Sequence, residues 1–528
     1  MNRHWIWHPF IFAAYPVLAL LAANLGKMAP VRMVRSLIAV EIFALLIFLA
    51  ARILSKNWHK AAFLVSLFLI FFQSYGHIYR WALNVMPVWF TSGQKYYLPA
   101  LWLILLGSGV WFAWRLKQSH EATVYLNIMA LVMVAVPVFK TVSYFVVNGS
   151  DISLAGDSGD TAEDTTPHFV PITIPSGEAT AVPPPDIYYI LLDAYGRSDT
   201  LQELYNYDNQ EFINFLEGKG FYVAHQSITN YTRTLFVLSS MLNGGYLDDV
   251  AAQLGPDSVN TVPLENLVKQ NRVVNALQQD GYRIISISSG YEESTLPNAD
   301  EYLRFDAGGV NEFEKLLLMN TPLGPLFNRQ FGDLSVYEMH RARVLYAFDQ
   351  LGKMPQEAGP KFVFAHIMSP HPPFVFGPDG EALNIPGDPL KHEDLPVDEY
   401  TSAYSGQVNY ISTLAQETIE QIMENSESPP IIIMFGDHGP WLRFESTPED
   451  SCLKERYTIF NSFYFPDGDY SQLYPTISPV NTFRVVMDKY FGTDLGTLAD
   501  RTFYSEWPHL YDFVDVTDSV ETCTWSGE

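Results

Sequence analysis

Residues 429–441 read PPIIIMFGDHGPW. Two prolines lead into five apolar residues, Ile431–Phe435, and the run then breaks into Gly436, Asp437, His438 and Gly439. A short apolar stretch bounded by turn residues predicts a strand buried on both faces. Its carboxyl end therefore carries an acid and an imidazole, and nothing in a buried strand calls for either.

The same pattern recurs along the second half of the chain. IYYILLD (187–193), FYVAH (221–225), YRIISISS (282–289), KFVFAHIM (361–368) and IFNSFYF (459–465) read as further strands. Between them NQEFINFLEGKG, LENLVKQNRVVNALQQDG, VYEMHRARVLYAFDQLG and SGQVNYISTLAQETIEQIMEN have apolar residues at helical spacing. Strands alternating with helices predict an α/β domain with a central, mostly parallel sheet flanked by helices. In such sheets functional groups collect at the carboxyl ends of the strands. Asp193 ends the first strand, His366 lies late in KFVFAHIM, and His371 follows in SPHPPF. Carboxylates and imidazoles together suit zinc or manganese. In NYTRTLFVLSSMLNGG (230–245), Thr234 stands at the start of an expected short helix, where free N–H groups favour a phosphate. Thr232, two residues earlier, is the competing hydroxyl.

Charge divides the chain. Residues 1–148 hold twelve Lys/Arg and two Asp/Glu, 12 − 2 = +10, so the remainder carries −26 − 10 = −36. A basic, apolar front before an acidic back reads as a membrane part followed by a soluble domain. An acidic domain of this size argues against a nucleic-acid partner. Apolar segments near 8–26, 36–54, 61–79, 98–114 and 123–147 have the length of bilayer-crossing helices, giving five spans over 1–148. The second contains Glu41, and an acid at that depth is a functional candidate. Residues 149–185 are polar, acidic and Pro-rich, as expected of a linker, and 186–528 form the soluble domain. Cys452 and Cys523 exclude a disulfide framework and a Cys-rich zinc module, leaving one bridge or two thiols.

Taken together, FGDHG after an apolar strand, LLDAYGR and the threonine segment, in that arrangement along the chain, resemble the alkaline phosphatase/sulfatase superfamily. The resemblance is to its membrane branch of lipoteichoic acid synthases and phosphoethanolamine transferases. It implies one divalent metal ion, manganese or zinc first and magnesium or calcium as alternatives, on Asp193, Thr234, Asp437 and His438. Thr234 is then the nucleophile, and His371, or else His366, holds the transferred phosphoryl group. The chain departs from relatives in two respects. CLKER lacks the proline of the sulfatase Cys-x-Pro-x-Arg motif, and no histidine lies between Gly439 and Asn461, leaving Arg443 or Arg456 as substitutes for contacting phosphate.

The resemblance thus implies a metal-dependent phosphoryl-headgroup transferase or hydrolase at the outer face of a bacterial-type plasma or inner membrane. Its donor would be a phospholipid and its acceptor an envelope glycan, a lipid or water. The rival readings are a phosphatase- or sulfatase-like esterase, a non-catalytic lipid-sensing regulator on the same scaffold, and a transporter; the last lacks paired repeats.

Overall fold

In the computed structural model, residues 5–23, 32–85, 94–115, 119–147, 169–175, 184–296, 298–305, 312–324, 336–383, 385 and 395–525 are described. The chain divides into two compact units: 1–162 with 306–334, and 163–305 with 335–528.

The larger unit is built on seven strands: β1 (Ile187–Leu192), β2 (Tyr222–Val223), β3 (Arg283–Ile287), β4 (Glu301–Leu303), β5 (Lys361–Ile367), β6 (Ile431–Phe435) and β7 (Asn461–Tyr464). Their order is β2-β7-β6-β1-β5-β3-β4. β6, β1, β5, β3 and β4 run parallel, while β7 pairs antiparallel with both β6 and β2. A separate hairpin, β8 (Phe503–Glu506) and β9 (His509–Asp515), completes the strands.

The strand-by-strand alternation explains the absence of polar residues in β1 and β6. Ile187, Tyr189 and Leu191 join Ile431, Ile433 and Phe435 in one core, with the helices Thr234–Met241 and Pro479–Phe491. Tyr188, Ile190 and Leu192 join Ile432 and Met434 in the opposite core, with the helix Val397–Asn425. Both faces are covered, as parallel sheets require. At roughly 2 kcal/mol per fully buried aliphatic side chain, burial clamps the strand bodies, so the loops at their carboxyl ends start from fixed points.

Several boundaries differ from the sequence reading. The segment 264–281 forms two helices, Val262–Lys269 and Arg272–Gln279, because Asn271 breaks the first and caps the second, accepting a hydrogen bond from the Val274 N–H at 2.8 Å. Of the stretch 149–185 expected to be a linker, 149–168 and 176–183 lie outside the described residues. Residues 169–175, by contrast, pack on the domain. Ile172 is buried in the first core, and Phe169 occupies the space left by the missing Cβ of Gly245. Within the expected domain 186–528, the described residues 312–324 group instead with the N-terminal helices. There Glu314 pairs with Arg35, and the Gly76 N–H donates to the Asn320 carbonyl at 2.8 Å. A side chain at Gly76 would collide with that backbone.

The smaller unit contains six described helices: His8–Ala23, Arg32–Ser55, Trp58–Val85, Gln94–Arg115, Ser119–Val147 and Glu312–Met319. Among the described residues three stretches, Met33–Ser55, Trp58–Ile78 and His120–Ser143, are long and apolar enough to cross a membrane. His8–Ala23 and Ala100–Arg115 are shorter apolar helices, so five spans are not established by this criterion.

Cys452 and Cys523 form a disulfide across 71 residues of chain. Closing a loop of that size is worth about 4 kcal/mol in the chain-entropy account. The Cys452→Ser/Cys523→Ser variant is therefore expected to lose stability of that order in denaturant titrations, and reductant should have no further effect on it.

Candidate metal centre and active site

β1 lies between β5 and β6, so the three loops that follow these strands meet at one edge of the sheet. Asp193 follows β1, His371 follows β5, and Asp437 and His438 follow β6. The two glycines of FGDHG make room for the approach. A Cβ on Gly436 would lie 2.3 Å from the Tyr195 carbonyl oxygen, and one on Gly439 would lie 1.9 Å from that of Glu455. Ala194 takes a left-handed conformation, φ 64°, costly for a residue with a Cβ. Its N–H thereby donates to Asp437 Oδ1 at 3.2 Å and ties the two loops together.

Three lone-pair atoms converge there. His438 Nε2 is 3.6 Å from Asp193 Oδ1 and 3.3 Å from Asp437 Oδ2. The ligand atoms of the three residues all lie within 4.8 Å of one another. His438 Nδ1 is 3.0 Å from the Gly439 carbonyl, to which it donates, so Nε2 carries the lone pair. Asp193 Oδ1 and Asp437 Oδ2 are buried without a hydrogen-bond partner. Buried acceptors facing acceptors are unfavourable unless a cation sits among them. The donor set fits a divalent metal ion, with two carboxylate oxygens and one neutral imidazole.

The electrostatics agree. Burial pushes the Asp437 carboxyl up to about 6, and the charge of Asp193 adds to the effect. Burial also opposes ionisation of Asp193, but His371, His366 and His438 outweigh it and hold that carboxyl well below the usual range. Burial, then the nearby Arg456 charge, keeps His438 neutral.

Thr234 is the first residue of its helix and is nearly buried, with Oγ1 3.3 Å from His438 Nε2. Thr232 instead donates to the Ser505 carbonyl at 3.2 Å. His366 stands behind the cluster: its Nε2 donates to Asp193 Oδ2 at 3.0 Å, and its Nδ1 accepts from Ser294 Oγ at 2.7 Å. That places it as the partner that orients a ligand carboxylate. His371 is half-buried, its ring centroid 6.2 Å from that of His438. Its backbone N–H donates to the Asp193 carbonyl, and Nδ1–H donates to the Pro372 carbonyl at 2.6 Å. Nε2 is then its acceptor atom. Arg443 is committed elsewhere, with Nη1 2.6 Å from buried Glu455 Oε1. Arg456 donates to backbone carbonyls.

Sequence reasoning did not find Ser294, Trp441 or His340. Trp441 lies between the guanidinium groups of Arg456 and Arg233, 4.2 and 5.2 Å from its ring centroid. His340 is buried, hydrogen-bonded to the Met368 backbone, with Nε2 unpartnered. No motif marks these three residues. Burial, then the Arg343 and His371 charges, lowers the His340 pKa to about 3. The unfolded chain's imidazole protonates near 6.5, so this group's contribution is full above 6.5 and is lost as pH falls toward 3. His340→Gln is expected to lose roughly 4 kcal/mol less than wild type across that window, read by denaturant titration at several pH values.

The sulfatase family model matches residues 185–484, more than half of the chain. None of the curated proteins matches it. Among solved structures it is similar to the zinc complex of the C-terminal periplasmic domain of EcEptC from Escherichia coli. That match has 13% identity and TM-score 0.44, over 67% of this chain and 98% of that one. It is similar to the lipoteichoic acid synthase LtaP from Listeria monocytogenes, at 14% identity and TM-score 0.39, over 63% and 81% of the two chains. It is also similar to the integral membrane lipooligosaccharide phosphoethanolamine transferase A from Neisseria meningitidis, at 10% identity and TM-score 0.41, over 93% and 96%. With the sulfatase match spanning β1 to the helix Pro479–Phe491, the chain belongs to the sulfatase family of the alkaline phosphatase superfamily, whose members hydrolyse or transfer phosphate or sulfate ester groups.

Proposed function

We propose that the protein is a membrane-bound, metal-dependent enzyme that transfers or hydrolyses the phosphoryl headgroup of phospholipid-type phosphodiesters, with Thr234 as nucleophile. The observation that carries this reading is the convergence of Asp193, Asp437 and His438 lone pairs beside the Thr234 hydroxyl. A sensor without chemistry has no use for two buried, unpartnered carboxylate oxygens.

Asp193, Asp437, His438 and the Thr234 oxygen would hold the ion, and its chemistry when bound is that of a Lewis acid that makes a hydroxyl acidic near neutral pH. Thr234 Oγ1 attacks phosphorus, and the bond to the lipid oxygen breaks. The lipid leaves as its alcohol, having gained a proton, and the headgroup phosphate stays on Thr234. His371, once protonated at Nε2 as well, hydrogen-bonds the phosphoryl oxygens or gives that proton to the leaving oxygen, and the proton lost by the Thr234 hydroxyl replaces it. A hydroxyl of a glycan or lipid, or water, then attacks the same phosphorus and frees Thr234. His366 keeps Asp193 oriented throughout. The N-terminal helices hold the site near lipid headgroups, as an integral membrane anchor with the larger unit outside the cytoplasm. The disulfide favours that side, since such bonds persist in oxidising compartments.

The test is mass spectrometry of detergent-purified full-length protein after incubation with Mn²⁺ or Zn²⁺ and mixed phospholipids. A headgroup-phosphate adduct is expected on the peptide containing Thr234, absent without metal and absent in Asp437→Ala. No adduct and no released headgroup across several lipid classes would overturn the reading.

A further inference from the structure

Arg456 belongs to the five-residue helix Leu453–Tyr457, which starts at the disulfide-bonded Cys452. The residue is 2% exposed. Nε donates to the Thr232 carbonyl at 2.9 Å, Nη2 donates to the same oxygen, and Nη1 donates to the Gly439 carbonyl at 2.7 Å. The Gly439 N–H returns a bond to the Arg456 carbonyl at 2.8 Å. Trp441 covers the guanidinium face.

These two carbonyls come from different parts of the site. Thr232 lies two residues before the Thr234 hydroxyl, and Gly439 directly follows His438. Among the described residues no backbone ladder joins the threonine segment directly to the turn after β6, and the planar guanidinium fork bridges them. A buried guanidinium is costly to desolvate, and carbonyl oxygens neutralise none of its charge. Were Arg456 there only to pin a helix, an apolar residue would do so at less cost. Glu455, on the same helix, already anchors it through Arg443 and through the Tyr205 hydroxyl at 2.6 Å.

We propose that Arg456 is a positioning residue for the metal centre: by gripping the Thr232 and Gly439 carbonyls in one fork, it sets the spacing between the Thr234 hydroxyl and the His438 imidazole. Through that spacing it makes the four-ligand set complete. The proposal rests on the reading of Asp193, Thr234, Asp437 and His438 as a metal site. Lysine keeps the charge but, as a single ammonium point, cannot reproduce the planar two-carbonyl grip.

The experiment is calorimetric titration of the metal-free, detergent-purified full chain with Mn²⁺ and Zn²⁺, alongside thermal unfolding. The variants are Arg456→Ala, Arg456→Lys and, as a control loosening the same helix from its other side, Glu455→Gln. Arg456→Ala is expected to lose roughly 10- to 100-fold in metal affinity, the usual cost of removing a residue that orients ligands. Added guanidinium ion should restore part of the loss, and Arg456→Lys should fall between Arg456→Ala and wild type. Glu455→Gln should bind metal as wild type does, even where its melting temperature falls. Unchanged affinity in Arg456→Ala overturns the proposal alone. So does a Glu455→Gln loss equal to that of Arg456→Ala, or a loss in Arg456→Ala that guanidinium leaves untouched while Arg456→Lys also fails. A wild-type protein that binds neither metal removes the metal-centre reading and this proposal together.

Discussion

Thr234→Ala is expected to stop headgroup release almost completely, by roughly 10⁴-fold or more, as loss of a nucleophile does when nothing nearby can replace it. The protein should remain folded. The hydroxyl sits at the first residue of its helix, 3.3 Å from His438 Nε2. Truncation there removes one methyl and one hydroxyl and costs about 1 kcal/mol. Thr234→Ser retains Oγ and should keep activity within about a hundredfold of wild type, the loss reflecting a freer rotamer. Thr232→Ala serves as the internal comparison. That hydroxyl is held by the Ser505 carbonyl, so its removal should lower stability modestly and leave the adduct on Thr234. Release of headgroup from mixed micelles, measured for all three variants, decides between the two threonines. Full activity in Thr234→Ala would remove it from the mechanism.

Asp437→Asn is expected to invert a stability ranking when metal is added. In metal-free protein the carboxyl is raised to about 6, first by burial and then by the charge of Asp193. A raised carboxyl contributes stability below its unfolded value, near 3.8, and that contribution disappears as pH rises through about 6. Above that range wild type therefore carries an ionised, poorly solvated group, at a cost of roughly 3 kcal/mol. Asparagine keeps the shape and the Oδ1 acceptor for Ala194 N–H while removing the charge. Metal-free Asp437→Asn should consequently unfold at a higher temperature than wild type at pH 8. With metal at about a thousand times its dissociation constant, wild type gains roughly 4 kcal/mol, whereas the asparagine variant gains little, so the order reverses. Thermal unfolding of both proteins, with chelator and then with Mn²⁺ or Zn²⁺, gives the four values required. An Asp437→Asn protein that binds metal as wild type does would exclude Asp437 as a ligand.

What was readable in the sequence is what local pattern controls. β1, β5 and β6 were legible because strands buried on both faces must be almost wholly apolar, and a charged residue at their ends then stands out. Asp193, Asp437 and His438 stand out in the sequence for that reason, and the structure brings these three together. Roles that depend on what lies across the fold were not legible. His366 and His371 are five residues apart, yet one stands behind Asp193 and the other follows the strand end. Only the parallel pairing that sets Leu191 opposite His366 separates them. Arg443 and Arg456 looked interchangeable as contacts for phosphate. One is paired to a buried glutamate and the other to two carbonyls, and the distances in sequence carry no trace of that. The break at Asn271 was missed because apolar spacing continues through it, although a capping residue preceded a second helical run. Residues 312–324 read as part of the soluble domain by position along the chain, while Arg35 and Gly76, far earlier, pair with Glu314 and Asn320.

On the proposed metal-centre reading, the central place of β1 also dictates when the protein could acquire an ion. Asp193 emerges early in synthesis, but the strand that delivers Asp437 and His438 is made far later and pairs directly beside it. A truncated chain ending before Ile431 would present Asp193 and Thr234 with an empty flank, lacking the Asp437 carboxylate and the His438 imidazole. Pairing between strands so distant in sequence is slow to form, and metal affinity develops only with the pairing. On the proposed metal-centre reading, ion capture is thus a late step: it waits for β6 to pair beside β1, and chains that lack β6 would not complete the site.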